Sequence, residues 1–463
     1  MSPRIIGCAV TALVAMSASS LLSQESVPAP APLAPVPEKV TPFAAPAPPL
    51  TLPATAPAPP KPKLSPLSER PEWSKLAEFA DTMSLEEFRA IVDQIYLEQP
   101  GAATPWTFTP VALSVETTAG QPRADIPLRA PGSPGNAAPR FWRTARELPP
   151  LKPDEPPLKG LHIALDPGHI GGSYAKMEER WLSMSPGTAI MEGELTLQVA
   201  QLLKPRLEAL GARVSLVRGS ETPVTTVKVE DLKKAAAELL KENGYPAPRE
   251  TYEGLKGDAK ITTIQWQAEK LFYRVSEIHA RAKRVNVELK PDLVLCLHFN
   301  AEAWGDPLKP APVTQDHFHL LVNGCYSSEE LQTEDIRFDM LQRIFSRTHE
   351  EEKRLAESFA PAMAAATGLP AYVYTKPTAR RIGSSPFIYA RNLLANRLFQ
   401  CPVIYLEPYV MNNGSTYKRL LLGPFAGRTL LDGKLVTSPQ EDYTRGVVNA
   451  LVTHAKKERS LAP

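Results

Sequence analysis

Leu161-His-Ile-Ala-Leu-Asp-Pro-Gly-His169 reads as a short apolar β-strand that breaks at Asp166-Pro-Gly and presents a histidine just beyond the break. A brief apolar run closed by Pro and Gly marks a buried strand. Working outward, Glu194 to Leu210 carries Leu195, Val199, Leu202, Leu203 and Leu207 on one helical face, and Gly211 ends it. Pro205 within that helix must either kink it or sit on its exposed side. Arg213 to Arg218 is the next strand, and a charged helical stretch runs from Val229 to Asn286. Leu293 to His298, Phe318 to Val322 and Val403 to Leu406 are further strands; Glu350 to Thr367 and Arg445 to Lys456 are helices. Strands alternating with helices predict an α/β fold, a three-layer αβα sandwich around a mostly parallel or mixed sheet.

Ahead of this region the chain changes character. Residues 1–24 read as an export signal: a start with one basic residue, Arg4, an apolar run from Ile5 to Ala15, then small residues at Ser17 to Ser20. That run is too short to span a bilayer as a helix. Residues 25–66 are rich in Pro and Ala, and hold much of the excess among the chain's 49 prolines. Proline fixes φ and lacks an N–H, so this stretch reads as a semi-rigid extended linker. Residues 67–157 read as a small N-terminal module or extension packed on the main domain, residues 158–463. Ser84 followed by Glu87 predicts a capping box on a helix whose apolar face is Phe88, Ile91, Ile95 and Tyr96.

The net charge is +2, and no basic block, GxxxxGK[ST] or strand-coupled GxGxxG occurs, so nothing points to nucleic acid or nucleotide. The mature chain is expected to have no membrane span and to act outside the cytoplasm, in the periplasm or cell envelope. If Cys8 leaves with the signal, Cys296, Cys325 and Cys401 remain. Cys296 and Cys401 sit in or beside apolar strands and read as buried thiols; no paired-cysteine zinc spacing occurs.

The chemistry-bearing residues cluster at strand ends, where α/β sheets bind ligands. His169 follows the first strand, His298 ends the strand LVLCLH, Glu407 follows VIYL, and Glu192 precedes the first long helix, with Glu194 as its rival. Two histidines and a carboxylate make a common catalytic zinc set, and a further carboxylate takes a proton from water. His317 and His319 alternate on a strand and so face one side.

The strings IALDPGHIGG, MEGELTLQVAQLLKPRLEALGARVSLVR, RAKRVNVELKPDLVLCLHFNAEA and CPVIYLEPYVMNN occur in this order. Together they resemble the zinc-dependent N-acetylmuramoyl-L-alanine amidases of the amidase_3 type, across residues 158–456. The resemblance implies one zinc ion per chain held by His169, Glu192 and His298, with Glu407 as the catalytic carboxylate. It implies peptidoglycan as the partner and hydrolysis of the amide between muramic acid and L-alanine as the reaction. Asp166 is expected to orient His169, Asn300 to order the loop after His298, and Arg281 to make a structural ion pair. Ile170 stands where the family has a second glycine, and Pro408 and Tyr409 replace its usual residues after the glutamate. In some relatives an inserted helix covers the zinc until an activator protein moves it. Residues 325–348 are the insertion that would do so here, against the plainer reading of a solvated surface insertion. Two other functions compete: a catalytically silent wall-binding relative, and a zinc peptidase acting on another amide. No HExxH helix is present.

Overall fold

The computed structural model describes residues 63–185, 187–252, 260–303 and 311–459. The export signal and nearly all of the linker lie outside the described residues.

The N-terminal segment forms helix α1 (Leu85–Ile91) and strands β1 (Trp106–Phe108), β2 (Ala112–Val115) and β3 (Ala124–Pro127), paired antiparallel in chain order. The capping box is present: the Glu87 amide donates to Ser84 Oγ, and the Ser84 amide donates to the Glu87 carboxylate.

The main sheet is built from β4 (His162–Pro167), β7 (Arg213–Leu216), β8 (Leu293–Leu297), β9 (Phe318–Val322), β10 (Arg380–Arg381), β11 (Ile388–Ala390) and β12 (Val403–Pro408). Between β4 and β7 a two-strand ribbon is inserted, β5 (Trp181–Leu182) and β6 (Ile190–Met191). The sheet order is β10-β11-β9-β12-β8-β4-β7. β7, β4, β8 and β12 run parallel, whereas β9 is antiparallel to β12. The sheet is therefore mixed.

Helices α2 (Glu192–Ala209), α7 (Thr348–Thr367) and α10 (Pro439–Glu458) cover one face, and α3 (Lys233–Glu242), α4 (Ile264–Leu271), α5 (Glu277–Lys283), α6 (Glu334–Phe345), α8 (Leu394–Leu398) and α9 (Gly414–Leu421) are the other helices that follow α1 in chain order among the described residues. Their Leu203, Leu207, Leu355 and Val447 pack with Ile163, Leu165, Leu295, Leu297, Ile404 and Leu406 of the sheet. The opposite face carries Ala164, Val294, Cys296 and Val403, packed with Ala282, Val285 and Phe399. Strands β4, β8, β9 and β11 are buried along their whole length, and this is why β8 reads as a continuous apolar run. The expected sandwich is present. Pro205 lies on the exposed side of α2 without ending it. α10 begins before Arg445 because Ser438 caps it and Pro439 opens it. Cys296, Cys325 and Cys401 are free and buried.

Residues 325–348 hold helix α6 (Glu334–Phe345), and they are not a solvated insertion. Leu331, Ile336, Met340, Leu341, Ile344 and Phe345 are buried. Phe345 meets Phe79 and Phe88 at ring distances of 6.1 and 5.6 Å, so the N-terminal segment and α6 share one core. Arg343 of α6 donates to the carbonyls of Phe399 and Cys401, ahead of the start of β12. Glu407 lies near the other end of that strand. At about 3.3 Å per residue, the two ends are roughly 20 Å apart.

Candidate functional site

The carboxyl ends of β4, β8 and β12 lie side by side, and each delivers one candidate functional residue. In the turn after β4, His169 takes a left-handed backbone conformation, φ 58°, which is uncommon for a residue with a side chain and marks a held geometry. The turn is clamped from below. Arg281 donates to Asp166 (2.9 Å), to the Pro167 carbonyl (2.8 Å) and to the His169 carbonyl (2.8 Å). Thr196 and Arg218 donate to the Gly168 carbonyl at 2.7 and 3.3 Å.

Glu192 is the first residue of α2 and is buried. Its carboxylate stands between the two histidines: Oε1 is 3.0 Å from His298 Nδ1, and Oε2 is 3.2 Å from His169 Nε2. The Phe299 amide donates to Oε1 at 3.2 Å, and Arg180 Nε lies 3.4 Å from Oε2. Burial raises the Glu192 carboxyl, but the imidazoles and Arg180 outweigh it and hold the group below the usual carboxylate range. Burial keeps His169 neutral, well below the ordinary histidine value. Glu194, the rival, is half-buried and outside this cluster.

One ligand atom from each of His169, Glu192 and His298 falls within 4.8 Å of the others. Ligands sharing one zinc lie roughly 3–3.5 Å apart, given bonds of about 2.0–2.1 Å. His169 Nε2 is buried and has no hydrogen-bond partner, although it faces a carboxylate. An orphaned imidazole nitrogen opposite an ionised carboxylate is what a cation would complete, so the donor set fits zinc.

Glu407 neighbours His298 across β12 and β8, where Leu406 pairs with Leu297 just before them. On its other side it pairs with His319 of β9. Its side chain is half-buried. Burial pushes its carboxyl up to about 7, with Glu192 adding and His298, Arg391 and Arg180 opposing. Asn300 donates to the Glu407 carbonyl at 3.3 Å, and its backbone bridges to Tyr409 and Met411, so it does order the loop after His298.

The ion pair expected of Arg281 is present, to Asp166 and Glu277. The role given to Asp166 needs correction. Asp166 is committed to Arg281, and the carboxylate beside the His169 ring is Glu178, 3.6 Å from Nδ1. Glu178 is buried and accepts from the Ile170 and Gly171 amides at 3.0 and 3.1 Å. Asp166 still lies on the strand face that meets Cys296, whereas His169 lies beyond the turn. His317 and His319 lie together, ring centres 6.3 Å apart. His319 is beside Glu407, and His317 binds Glu302 at 2.7 Å; neither joins the metal-ligand group.

The chain matches no family model and no curated protein. Among solved structures it is similar to the N-acetylmuramyl-L-alanine amidase Ami1 from Mycobacterium smegmatis, with 16% identity, 65% of this chain and 99% of that chain covered, and a TM-score of 0.34. It is likewise similar to the N-acetylmuramoyl-L-alanine amidase from Clostridium difficile 630, at 13% identity, 65% and 99% coverage and a TM-score of 0.33. The catalytic domain of CwlV, an amidase of the same name from Bacillus (Paenibacillus) polymyxa var. colistinus, stands at 12%, 64%, 98% and 0.32.

Four residues of the site have no signature in the sequence. Glu178 and Arg180 come from the irregular loop between β4 and β5, and Tyr405 stacks on His298 at 4.4 Å from within a strand. Arg391, which acts on Glu407 by charge, follows the three-residue strand β11.

Proposed function

We propose that this chain is a zinc-dependent N-acetylmuramoyl-L-alanine amidase, exported to the cell envelope, where it cuts the amide between muramic acid and L-alanine of peptidoglycan. The carrying observation is the convergence of His169, Glu192 and His298, from three separate segments, beside a carboxylate held up to about 7. No described helix is long and apolar enough to cross a membrane.

His169, Glu192 and His298 would hold the zinc, which when bound supplies a Lewis acid for the amide carbonyl and lowers the pKa of water. Glu407 does the proton work. Its carboxylate accepts a proton from the attacking water as the oxygen bonds to the carbonyl carbon. As the C–N bond breaks, Glu407 returns that proton to the departing alanine amine. A group poised near neutrality serves both transfers. Tyr405, stacked on His298, and Arg180, beside Glu192, hold the ligands in place.

The test is digestion of purified peptidoglycan followed by mass spectrometry. The reading requires peptides with a free N-terminal alanine and glycan strands with unsubstituted lactyl carboxylates. Peptides cut internally, with alanine still attached to sugar, would instead indicate a peptidase.

A further inference from the structure

On the side of Glu407 away from the metal-ligand group lies a second polar cluster: His319, Tyr374 and Arg391. Its hydrogen bonds leave one donor over. The Asn300 amide nitrogen donates to the Glu407 carbonyl, and the same nitrogen lies 3.5 Å from His319 Nδ1. Nδ1 is therefore the acceptor, and the proton of this imidazole, held neutral by burial, sits on Nε2. Nε2 is 2.9 Å from the Tyr374 hydroxyl and donates to it. Arg391 Nη1, which can only donate, reaches the same oxygen at 3.3 Å. The Tyr374 oxygen thus accepts twice, and no acceptor for its own O–H is found among the described residues.

Arg391 is buried, and no described carboxylate is in ion-pair contact with it; it acts on Glu407 only at longer range. A buried guanidinium is normally paired. The nearby carboxylate Glu302 is already engaged by His317. Tyr372 closes one side, its ring 4.8 Å from that of Tyr374 and 5.0 Å from that of His319. A buried cation with no carboxylate in contact and a leftover hydroxyl donor within one aromatic-walled cluster describe an anion subsite.

The geometry points to Tyr374 and Arg391 as a subsite for a carboxylate of the substrate peptide, on the far side of Glu407 from the scissile amide. This rests on the amidase reading for the identity of the substrate. His298, Glu407 and His319 stand on adjacent strands about 4.8 Å apart, which sets His319, and the Tyr374 hydroxyl hydrogen-bonded to it, roughly 10 Å from His298. A peptide residue spans about 3.5 Å, so the carboxylate belongs to the second or third residue beyond the cut. In a peptidoglycan stem the second residue is a γ-linked glutamate whose α-carboxylate is free or amidated, and the subsite selects the free form.

The test is calorimetric binding of the product peptide L-Ala-γ-D-Glu-L-Lys, which has no bond left to cut, in its α-carboxylate and α-carboxamide forms. The proteins are the wild type, Tyr374→Phe and Arg391→Met, each checked for an unchanged melting temperature. Wild type binds the carboxylate about tenfold more tightly, and Tyr374→Phe loses most of that preference without weakening carboxamide binding. Equal binding of both forms by wild type, or binding of neither, overturns the subsite. A preference retained in full by both variants also overturns it. Preferential binding by a wild type that releases no peptide from peptidoglycan leaves the subsite standing and sinks the amidase reading.

Discussion

Gly168 lies directly against the His298 imidazole: a Cβ built on Gly168 would fall 2.2 Å from His298 Cε1 and 2.3 Å from Nε2. The turn after β4 and the end of β8 are therefore fitted at one point where only glycine leaves room for the ring. Gly168→Ala must push His298 away from Glu192. The expected result is loss of zinc affinity by at least about tenfold with the fold retained, measured by competition with a chelator and by circular dichroism. Unchanged affinity would mean that the ring has another place to go.

Glu178 places negative charge beside His169 Nδ1, which favours the proton there and leaves Nε2 as the ligand atom. Glu178→Gln keeps the shape and removes the charge. Zinc affinity should fall about 10–100-fold, the usual cost of losing such a partner. Titration of metal into the stripped protein measures it, and Asp166→Asn is the comparison, acting on Arg281 and not on the ring.

The pH dependence follows from Glu407. Only its ionised form accepts a proton, and burial raises its carboxyl to about 7, so kcat/KM rises with pH as the group ionises. A bound cation nearby favours the ionised form and moves this limb below 7. Glu407→Gln should cost about 10²–10⁴-fold in kcat and abolish the limb. A profile flat from about pH 5 to 8 in the wild type would contradict the role.

The N-terminal segment is bound to α6 by aromatic packing and by Glu87. Glu87 accepts from the Ser84 amide and pairs with Arg129 (2.7 Å) and Arg347 (3.3 Å). Burial raises its carboxyl, but these donors outweigh it and hold it at about 2. A depressed carboxyl stabilises the fold above its unfolded pKa, and that contribution disappears as pH falls towards 2. Glu87→Gln should cost about 1 kcal/mol at neutral pH and progressively less below pH 4, read from urea melts. Phe345→Ala should cost about 3–5 kcal/mol.

The central strands were legible because both faces of the sheet are buried there, which makes a strand such as Leu293–Leu297 a continuous apolar run; the two- and three-residue strands β10 and β11 carry no such run and were not legible. The positions that come together as a candidate metal group were legible because strand ends are punctuated, by Pro-Gly before His169 and by Asn300 after His298. Glu178 was not, because its contact with His169 depends on how an irregular loop folds back, and no periodicity encodes that. Asp166 was misread for a related reason: nearness in sequence to His169 does not carry a side chain around a turn. Tyr374 and Arg391 come from a segment that holds only two- and three-residue strands, so their meeting with His319 is a tertiary fact alone. Residues 325–348 hide their burial because α6 also buries charged side chains, as Arg343 does against Glu352, and because its Phe345 packs on residues far away in the chain, Phe79 and Phe88.

The most direct test of the central claim pairs metal content with product release in wild type, Glu192→Gln and Glu407→Gln. The account predicts stoichiometric zinc and release of alanine-terminated peptide from peptidoglycan by wild type. Glu407→Gln keeps the zinc and loses the release, and Glu192→Gln loses both. Release by a zinc-free wild type, or undiminished release by Glu407→Gln, would contradict it.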